Sequence, residues 1–245
     1  MKIPVKLLPL LVGLLIVVVF LLGRYQGQVE LLKKGGSPAG SSVQTPGAQN
    51  QQVGSAQPQA SETLSEEQWQ RVISESAVSQ GKDGARVTIV EFTDYQCPYC
   101  KRHFDETLPQ IEKDYIQTGK VKYLVRDFPL PNHPNAPSAA QLARCAGDQG
   151  KYWEMHDLLF GKQEEWSTGD PTDAFLGFGS SLGLNGGELS ACLKDGTHQD
   201  QVLKDVALAQ ELGIGGTPGF YINGKILVGA MPFANFKSMI DQALQ

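Results

Sequence analysis

A short β-branched run that leads into a CxxC motif is the feature that most constrains how this chain folds. Residues 87–92 read VTIVEF, a pattern typical of a buried strand. Cys97-Pro98-Tyr99-Cys100 follows shortly afterwards, with a proline where the first turn of a helix best accepts it. The sequence therefore predicts that a strand ending near Thr93 delivers Cys97 to the N-terminus of a helix.

That predicted position favours thiol chemistry at Cys97. Free N–H groups and the positive end of the helix dipole stabilise a thiolate there. Cys100 lies one turn further along the same helix face, and an exposed thiol of low pKa with such a resolving partner is what thiol–disulfide exchange requires. Half of a zinc site is the alternative. A zinc site would need two more ligands, and Cys145 and Cys192 are far apart with no second CxxC.

The remaining pattern alternates strands with helices and predicts an α/β fold. Helices are expected over about residues 66–78, 100–115 and 233–244, and strands over 121–125, 220–222 and 226–228. Pro109 should kink or interrupt the second helix, and Ser65 to Gln68 fits a capping box at the start of the first. Asn223-Gly224 is a strong hairpin signal between the last two strands. A helical region over about residues 138–212 is divided by glycines near 161, 169, 177–187 and 196.

Three segments together resemble the DsbA-like branch of the thioredoxin superfamily. They are VTIVEFTDYQCPYC at residues 87–100, RDFPL at 126–130 and GTPGFYING at 216–224. The likeness covers about residues 80–245 and is closest in kind to the membrane-anchored, DsbA- and BdbD-like members. It implies a thioredoxin fold over residues 63–245, with a helical insertion at about 138–212 between the two halves of the sheet.

The resemblance also implies a substrate-binding surface around the motif. Pro218 is expected to be a cis-proline that faces the cysteines, and Thr217 to offer backbone groups to an extended substrate strand. Pro98 and Tyr99, between the two cysteines, are expected to belong to the same surface. A Gly-Thr-Pro turn with a trans bond is the alternative for residues 216–218.

Glu91 occupies the position at which this family carries a buried acid near the resolving thiol. If burial raises its pKa, Glu91 can take the proton of Cys100. An exposed strand carboxylate is the alternative, because strand alternation alone does not fix the face on which Glu91 lies. His103 could tune the thiolate but is better explained as a solvated or packing residue, and His133 and His156 are expected to be structural.

Relatives of this kind often carry a second, structural disulfide, which here would join Cys145 and Cys192. Four cysteines allow three pairings, and the CxxC favours 97–100 with 145–192. Two buried free thiols are the alternative. No cofactor is expected beyond the redox-active Cys97–Cys100 disulfide, and no metal.

The N-terminal part of the chain predicts a membrane tether. Residues 1–6 are expected to be a cytoplasmic tail and residues 7–24 a transmembrane signal anchor, since an apolar run of about 17 residues spans roughly 26 Å as a helix. A cleaved signal peptide is the alternative, although no convincing cleavage site follows. Residues 25–62, rich in Gly, Ser, Gln and Pro, are expected to be a flexible linker.

Flanking charges nearly balance, so the expected orientation rests on the thiol chemistry, which needs an oxidising compartment. The catalytic domain is therefore placed on the extracytoplasmic side of the cell membrane. A formal net charge of −5 argues against a nucleic-acid partner, and a monomer is expected.

The leading functional hypothesis is an enzyme that introduces disulfides into unfolded or extended exported proteins. By resemblance, a quinone-linked membrane protein, DsbB-like or vitamin K epoxide reductase-like, would reoxidise it. A reductase or isomerase of the same fold is the first alternative. A non-catalytic, tethered peptide-binding module is the second.

Overall fold

The computed structural model of the protein describes residues 62–74 and 78–245. The tail at 1–6, the anchor at 7–24 and all of the linker at 25–62 except its last residue lie outside the described residues. Within the described ranges, no helix is both long and apolar enough to cross a bilayer.

A mixed sheet of five strands lies at the centre of the described part of the chain. The strands are β1 (Val78–Gly81), β2 (Val87–Thr93), β3 (Val121–Asp127), β4 (Gly219–Ile222) and β5 (Lys225–Val228). Their order across the sheet is β1-β3-β2-β4-β5. β2 and β3 run parallel, whereas β1 pairs antiparallel with β3, β4 with β2 and β5 with β4. The strand that leads into the CxxC motif is therefore the middle strand of the sheet.

Helices cover the sheet and fill the connection between its two halves. Those outside this connection are α1 (Glu66–Val72), α2 (Pro98–Glu106), α3 (Leu108–Ile111), which continues as a π-helical turn (Glu112–Ile116), and α10 (Phe233–Ala243). The insertion between β3 and β4 contains α4 (Ala136–Gly147), α5 (Tyr152–Gly161), α6 (Gln163–Trp166), α7 (Thr172–Ser181), α8 (Gly186–Lys194) and α9 (Gln199–Glu211). The predicted α/β class and the helical insertion are both confirmed.

β2 is buried on both faces, so the polar residues at its C-terminal end lie inside the protein. Ile89 packs in one core cluster with α3 and α10, and Val90 packs in another with α1 and α9. Because alternate residues of a strand point to opposite faces, Glu91 and Thr93 lie on the Ile89 face. Strand alternation alone did not show which face of the sheet carries Glu91. The helices that cover each side show that Glu91 lies on the face covered by α3 and α10.

The first predicted helix is too long. Its capping box is confirmed, since Gln68 N donates to Ser65 Oγ (3.2 Å) and Ser65 N donates to Gln68 Oε1 (3.0 Å). The helix ends at Val72, however, and Val78–Gly81 pairs with β3 as an edge strand. The sequence VSQG has neither a β-branched run nor a clear alternation, so only the partner strand identifies it.

The other predicted breaks are confirmed except at Gly177 and Gly179, which both lie inside α7. The helix after the CxxC ends at Glu106, and Pro109 lies in the first turn of α3. Asn223 and Gly224 both have positive φ (45° and 80°), as a tight hairpin with a right-handed twist requires. Gly177 does not break the chain: it lies inside α7, at a site where an added Cβ would meet open space.

Buried ion pairs fasten the insertion to the sheet. The Asp205 carboxylate in α9 accepts hydrogen bonds from Arg126 Nη1 (2.5 Å) on β3 and Arg144 Nη2 (2.7 Å) on α4. It also accepts the backbone N–H of Asp127 (3.2 Å), whose own carboxylate pairs with Arg144 Nε. The side chains of Asp205 and Arg126 are 0% and 2% exposed. Two helices are thereby tied to the end of β3 that lies beside the CxxC motif.

Removing one member of this network should strongly destabilise the fold. Asp205→Ala leaves buried arginine charge without its carboxylate, which costs about 3–5 kcal/mol. Urea denaturation should show this loss, whereas the neighbouring exposed variant Lys204→Ala should change the unfolding free energy by less than about 0.5 kcal/mol. A loss below about 1 kcal/mol for Asp205→Ala would show that these pairs contribute no more to the unfolding free energy than ordinary surface ion pairs do.

Candidate active site

Cys97 is the residue that caps the start of α2, as the sequence predicts. Its backbone is extended (φ −74°, ψ 125°), and Pro98 begins the helix. Its N–H donates to the carbonyl of Asp94 (3.1 Å), and its carbonyl accepts the N–H of Lys101 (3.1 Å). These two hydrogen bonds fix the cysteine at the junction of strand and helix, beside the free N–H groups of the first turn.

Gln163 holds this junction from the insertion side. Its Nε2 donates to the carbonyls of Tyr95 (2.7 Å) and Cys97 (3.2 Å). Gln96, on the same turn, donates in the opposite direction to the carbonyl of Ser167 (2.7 Å). The insertion thus supports the backbone of the CxxC turn. Sequence reasoning missed Gln163, because no local pattern marks a partner 66 residues away.

The environment of the Cys97 sulfur stabilises its negative charge. A hydrogen bond from the Cys100 thiol and the backbone N–H groups of Cys100 and Tyr99 lower the pKa of Cys97 to about 6, although burial opposes them. Both cysteines of the motif are free thiols in this structure. A thiol of this pKa is largely ionised at neutral pH and is both a good nucleophile and a good leaving group.

Cys97 is less exposed than the sequence suggests. Its exposed fraction is only 3%, and the carbonyl of Thr217 lies 3.5 Å from its sulfur. The intervening residues Pro98 and Tyr99 are exposed, Tyr99 to 58%, with the Arg102 guanidinium 5.2 Å from the centre of its ring. The accessible surface of the motif is therefore formed by the residues between the two cysteines.

Cys100 has the opposite electrostatic environment. It is fully buried, and burial together with the neighbouring Cys97 and Glu91 raises its pKa well above the usual value. The backbone N–H of Asp94 points at its sulfur from 3.5 Å. The motif therefore pairs one thiol that ionises readily with one that holds its proton.

The peptide bond between Thr217 and Pro218 is cis, as the resemblance implies. Both residues are buried, and the carbonyl of Thr217 accepts a hydrogen bond from Cys97 Sγ. The carbonyl of Pro218 accepts the N–H of Gly229 (2.9 Å), which ties this loop to the end of β5. Residues that are 120 positions apart in the sequence thus meet at the Cys97 sulfur.

Glu91 is buried beneath the motif, with an exposed fraction of 1%. Its Oε1 accepts a hydrogen bond from the hydroxyl of Thr93 (2.8 Å), and its Oε2 accepts one from the hydroxyl of Tyr123 (2.6 Å). Burial raises the pKa of Glu91, and the Tyr123 hydrogen bond partly offsets the rise. The exposed-carboxylate alternative is wrong, because β2 is covered on the face where Glu91 lies.

The three histidines near the motif are held in the protein interior or against other residues. His103 is buried with Nε2 3.1 Å from the Tyr123 hydroxyl, and burial lowers its pKa to about 3. His156 is buried among aromatic rings, including those of Tyr95 and Phe160. Nδ1 of His133 lies 2.7 Å from the buried carboxylate of Asp94 and so ties the proline-rich loop to the active-site turn.

Cys145 and Cys192 form a disulfide with a Cα–Cα distance of 6.0 Å. The bond joins α4 to α8 within the insertion. His198 lies beside it, so that the two sulfurs and a ring nitrogen fall within 4.8 Å of one another. The sulfurs are bonded to each other, however, and are therefore not available as metal ligands in this state.

The chain is similar to known proteins over most of the described region. A family profile described as Thioredoxin matches residues 74–242. Disulfide bond formation protein D of Bacillus subtilis is 33% identical over 173 residues, which cover 67% of this chain and 76% of that protein. The crystal structure of oxidised BdbD from Bacillus subtilis has a TM-score of 0.64 at 30% identity, covering 69% of this chain and 94% of that one.

A second kind of relative is much longer than this chain. The Na(+)/H(+) antiporter NhaA 1 of Salinispora arenicola is 35% identical over 147 residues, which cover 60% of this chain. The chain spans only 21% of the length of that antiporter. The likeness therefore concerns one portion of the antiporter and does not carry the activity of the whole protein.

The geometry predicts how the reactivity of the reduced protein depends on pH. A folded-state pKa lowered from 9.0 to about 6 stabilises the form that contains the Cys97 thiolate. This stabilisation is complete above pH 9 and is lost as the pH falls through 6. The rate of alkylation of Cys97 by iodoacetamide should therefore rise with a midpoint near pH 6.

Two variants serve as controls for that titration. Cys97→Ser should abolish the fast alkylation. Cys100→Ala should move the midpoint upward, because the hydrogen bond from the Cys100 thiol contributes most to the low pKa. A midpoint near the value of about 8.5 for a free cysteine in the parent protein would contradict the electrostatic account.

Proposed function

This chain belongs to the DsbA-like branch of the thioredoxin superfamily, and on that basis we propose that it introduces disulfides into exported proteins by thiol–disulfide exchange. The observation that best supports the proposal is the electrostatic asymmetry of the motif. Cys97 has a low pKa at the start of α2, whereas the buried Cys100 has a high one. A cis-proline loop lies against the reactive sulfur.

In the proposed reaction the Cys97–Cys100 disulfide is transferred to a client dithiol. A client thiolate attacks Cys97 Sγ, so a mixed disulfide forms while the bond to Cys100 breaks and Cys100 leaves with the electron pair. Cys100 then takes a proton, and we assign the role of donor to Glu91, whose charge influences the pKa of Cys100. A second client thiolate attacks the client sulfur of the mixed disulfide and releases Cys97 as a thiolate. The client is oxidised by two electrons and the enzyme is reduced by two.

The low pKa of Cys97 favours this direction. A thiol of low pKa leaves faster in exchange, and a stabilised thiolate favours the reduced form of the enzyme, which makes its disulfide a stronger oxidant. A reductase would instead need an active site that favours the oxidised, disulfide form of the enzyme. An isomerase is the closest alternative, because it uses the same exchange chemistry. In an isomerase, Cys97 would attack an incorrect disulfide of the client.

The loop at Thr217 and Pro218 is proposed to hold the client next to the sulfur. Its backbone is anchored by hydrogen bonds to Cys97 and Gly229. The exposed ring of Tyr99 lies on the same motif. An extended client segment could therefore contact both while it presents a cysteine to Cys97.

Each turnover leaves the enzyme reduced, so the proposed function requires an oxidant. We assign that role to a membrane protein linked to quinone, of the DsbB-like or vitamin K epoxide reductase-like kind. The apolar run at residues 7–24 supports a membrane tether, and the polar linker at 25–62 would let the domain reach such a partner. The domain is accordingly proposed to work on the extracytoplasmic side of the cell membrane, as a monomer without further cofactor.

An exchange assay with matched variants tests the proposal. Preoxidised protein should convert one equivalent of a reduced dithiol peptide to its disulfide, and Cys97→Ala and Cys100→Ala should each abolish the reaction. The double variant Cys145→Ala/Cys192→Ala should retain it, with circular dichroism used to check that it is folded, because that disulfide lies outside the exchanging pair.

Two results would contradict the proposal in different ways. A parent protein that binds the peptide without oxidising it would instead be a peptide-binding module. Activity that is lost in the Cys145→Ala/Cys192→Ala variant but kept in Cys97→Ala would place the exchanging disulfide in the insertion.

A further inference from the structure

The disulfide of the insertion has two metal-binding side chains beside it. Cys145 lies in α4 and Cys192 in α8, and their sulfurs fall within 4.8 Å of a ring nitrogen of His198. Asp148 caps the end of α4, three residues beyond Cys145. Its Oδ2 lies 3.8 Å from Cys192 Sγ and 2.8 Å from His198 Nε2. Two sulfurs, an imidazole and a carboxylate therefore meet at one place in the insertion.

Backbone contacts hold His198 in this position. It caps the start of α9, and the loop before it is closed by a hydrogen bond from Thr197 N to the carbonyl of Cys192 (3.1 Å). Gly196 N donates to the carbonyl of Leu193 (3.3 Å) in the same loop. The φ of Gly196 is 63°, a conformation that favours glycine and turns the chain from α8 into α9. The side chains of this cluster are thus placed by the ends of three helices.

A structural disulfide needs neither His198 nor Asp148. Their side chains are 22% and 53% exposed, and a pair as exposed as this one contributes little to the stability of a fold. The exposure does leave a path by which a metal ion can enter from solvent. Cys145, in contrast, is buried at the inner side of the cluster.

The distances in the cluster fit a tetrahedral zinc site. Zn–S bonds of about 2.3 Å and Zn–N or Zn–O bonds of about 2.0 Å place two sulfurs about 3.8 Å apart, and a sulfur about 3.5 Å from a nitrogen or oxygen. Asp148 Oδ2 is already 3.8 Å from Cys192 Sγ. The Cα atoms of Cys145 and Cys192 are 6.0 Å apart, so rotation of the two side chains is enough to separate unbonded sulfurs by that distance.

We propose that reduction of the Cys145–Cys192 disulfide creates a zinc site, which His198 and Asp148 complete. Two thiolates, an imidazole and a carboxylate suit zinc, whereas calcium and magnesium prefer oxygen ligands alone. Zinc then replaces the disulfide as the cross-link between α4 and α8. The 47 positions that separate the two cysteines hide this site in the sequence, where no metal is expected.

A dithiol supplies the two electrons that the reduction needs. One of its thiolates attacks a sulfur of the Cys145–Cys192 bond, forms a mixed disulfide and releases the other cysteine, which takes a proton. The second thiolate closes the disulfide of the reductant and releases the first cysteine, which also takes a proton. When Zn²⁺ binds, it displaces both thiol protons into solvent and keeps its oxidation state.

The proposal goes beyond the exchange function and does not depend on it, because neither Cys97 nor Cys100 takes part. It has one consequence for the active site. The insertion supports the CxxC turn through Gln163. A zinc cross-link keeps the insertion fastened when its disulfide is reduced, and so preserves that support.

Zinc titration of the reduced, full-length chain tests the proposal. The Cys97→Ser/Cys100→Ser variant is used as the parent, so that the CxxC thiols bind no metal. A phosphine opens the remaining disulfide, because a dithiol would itself bind zinc, and Zn²⁺ is then titrated against a chromophoric chelator without oxygen. One equivalent should bind with a dissociation constant below about 100 nM, as in other structural zinc sites. The unreduced protein should not bind zinc this tightly.

Variants at the two added ligands separate a built site from unspecific binding by thiols. His198→Ala should weaken zinc binding at least about 100-fold, and Asp148→Asn about tenfold. Asp195→Asn changes an exposed acid of the same loop and should leave the affinity unchanged. A parent that binds no more tightly than about 100 nM, or that binds no better than His198→Ala, would overturn the proposal. Equal binding by Asp148→Asn would remove Asp148 as the fourth ligand.

Thermal unfolding gives a second readout that does not rely on the chelator. A ligand that binds only the folded state stabilises it, so one equivalent of zinc should raise the unfolding midpoint of the reduced parent. If the reduced chain is unfolded without metal, circular dichroism should show it fold as zinc is added. His198→Ala should show neither effect. A reduced parent whose unfolding does not respond to zinc would contradict the proposal, while the exchange function would still be judged by oxidation of the dithiol peptide.

Discussion

The interaction on which the rest of the site depends is the stabilisation of negative charge at the Cys97 sulfur. The site is nearly closed to water, so each further charge in it costs desolvation energy. Hydrogen bonds and free N–H groups concentrate the stabilisation at Cys97, and the pKa values of Cys100 and Glu91 are raised. As a consequence, Cys97 ionises readily while Cys100 holds its proton, and this difference gives the two cysteines their different roles.

The fold supplies this electrostatic pattern through three independent supports. β2, covered on both faces, brings Glu91 and Thr93 beneath the motif and aims Cys97 at the start of α2. The second half of the sheet brings Thr217 to the sulfur. The insertion holds the turn through Gln163, and its own position is fixed by the buried ion pairs around Asp205. Chemistry at two cysteines thus depends on contacts that extend across the whole domain.

Local patterns in the sequence predicted the parts of this structure that local physics determines. The strand and helix around Cys97, the capping box at Ser65 and the hairpin at Asn223 each follow from a few adjacent residues. β1 could not be predicted, because its residues become a strand only by pairing with β3. Gln163 was missed because its partner Cys97 is likewise distant in the sequence. The cis bond before Pro218 was expected from resemblance alone, and no rule of spacing would have derived it.

The potential of the Cys97–Cys100 couple tests the central claim most directly. Equilibration of the protein with defined ratios of reduced and oxidised glutathione gives this value. A stabilised Cys97 thiolate favours the reduced form, so we expect a potential less negative than about −200 mV, on the oxidising side of the glutaredoxins. A potential as reducing as the value of about −270 mV for thioredoxin would contradict it, because such a couple takes disulfides away instead of donating them.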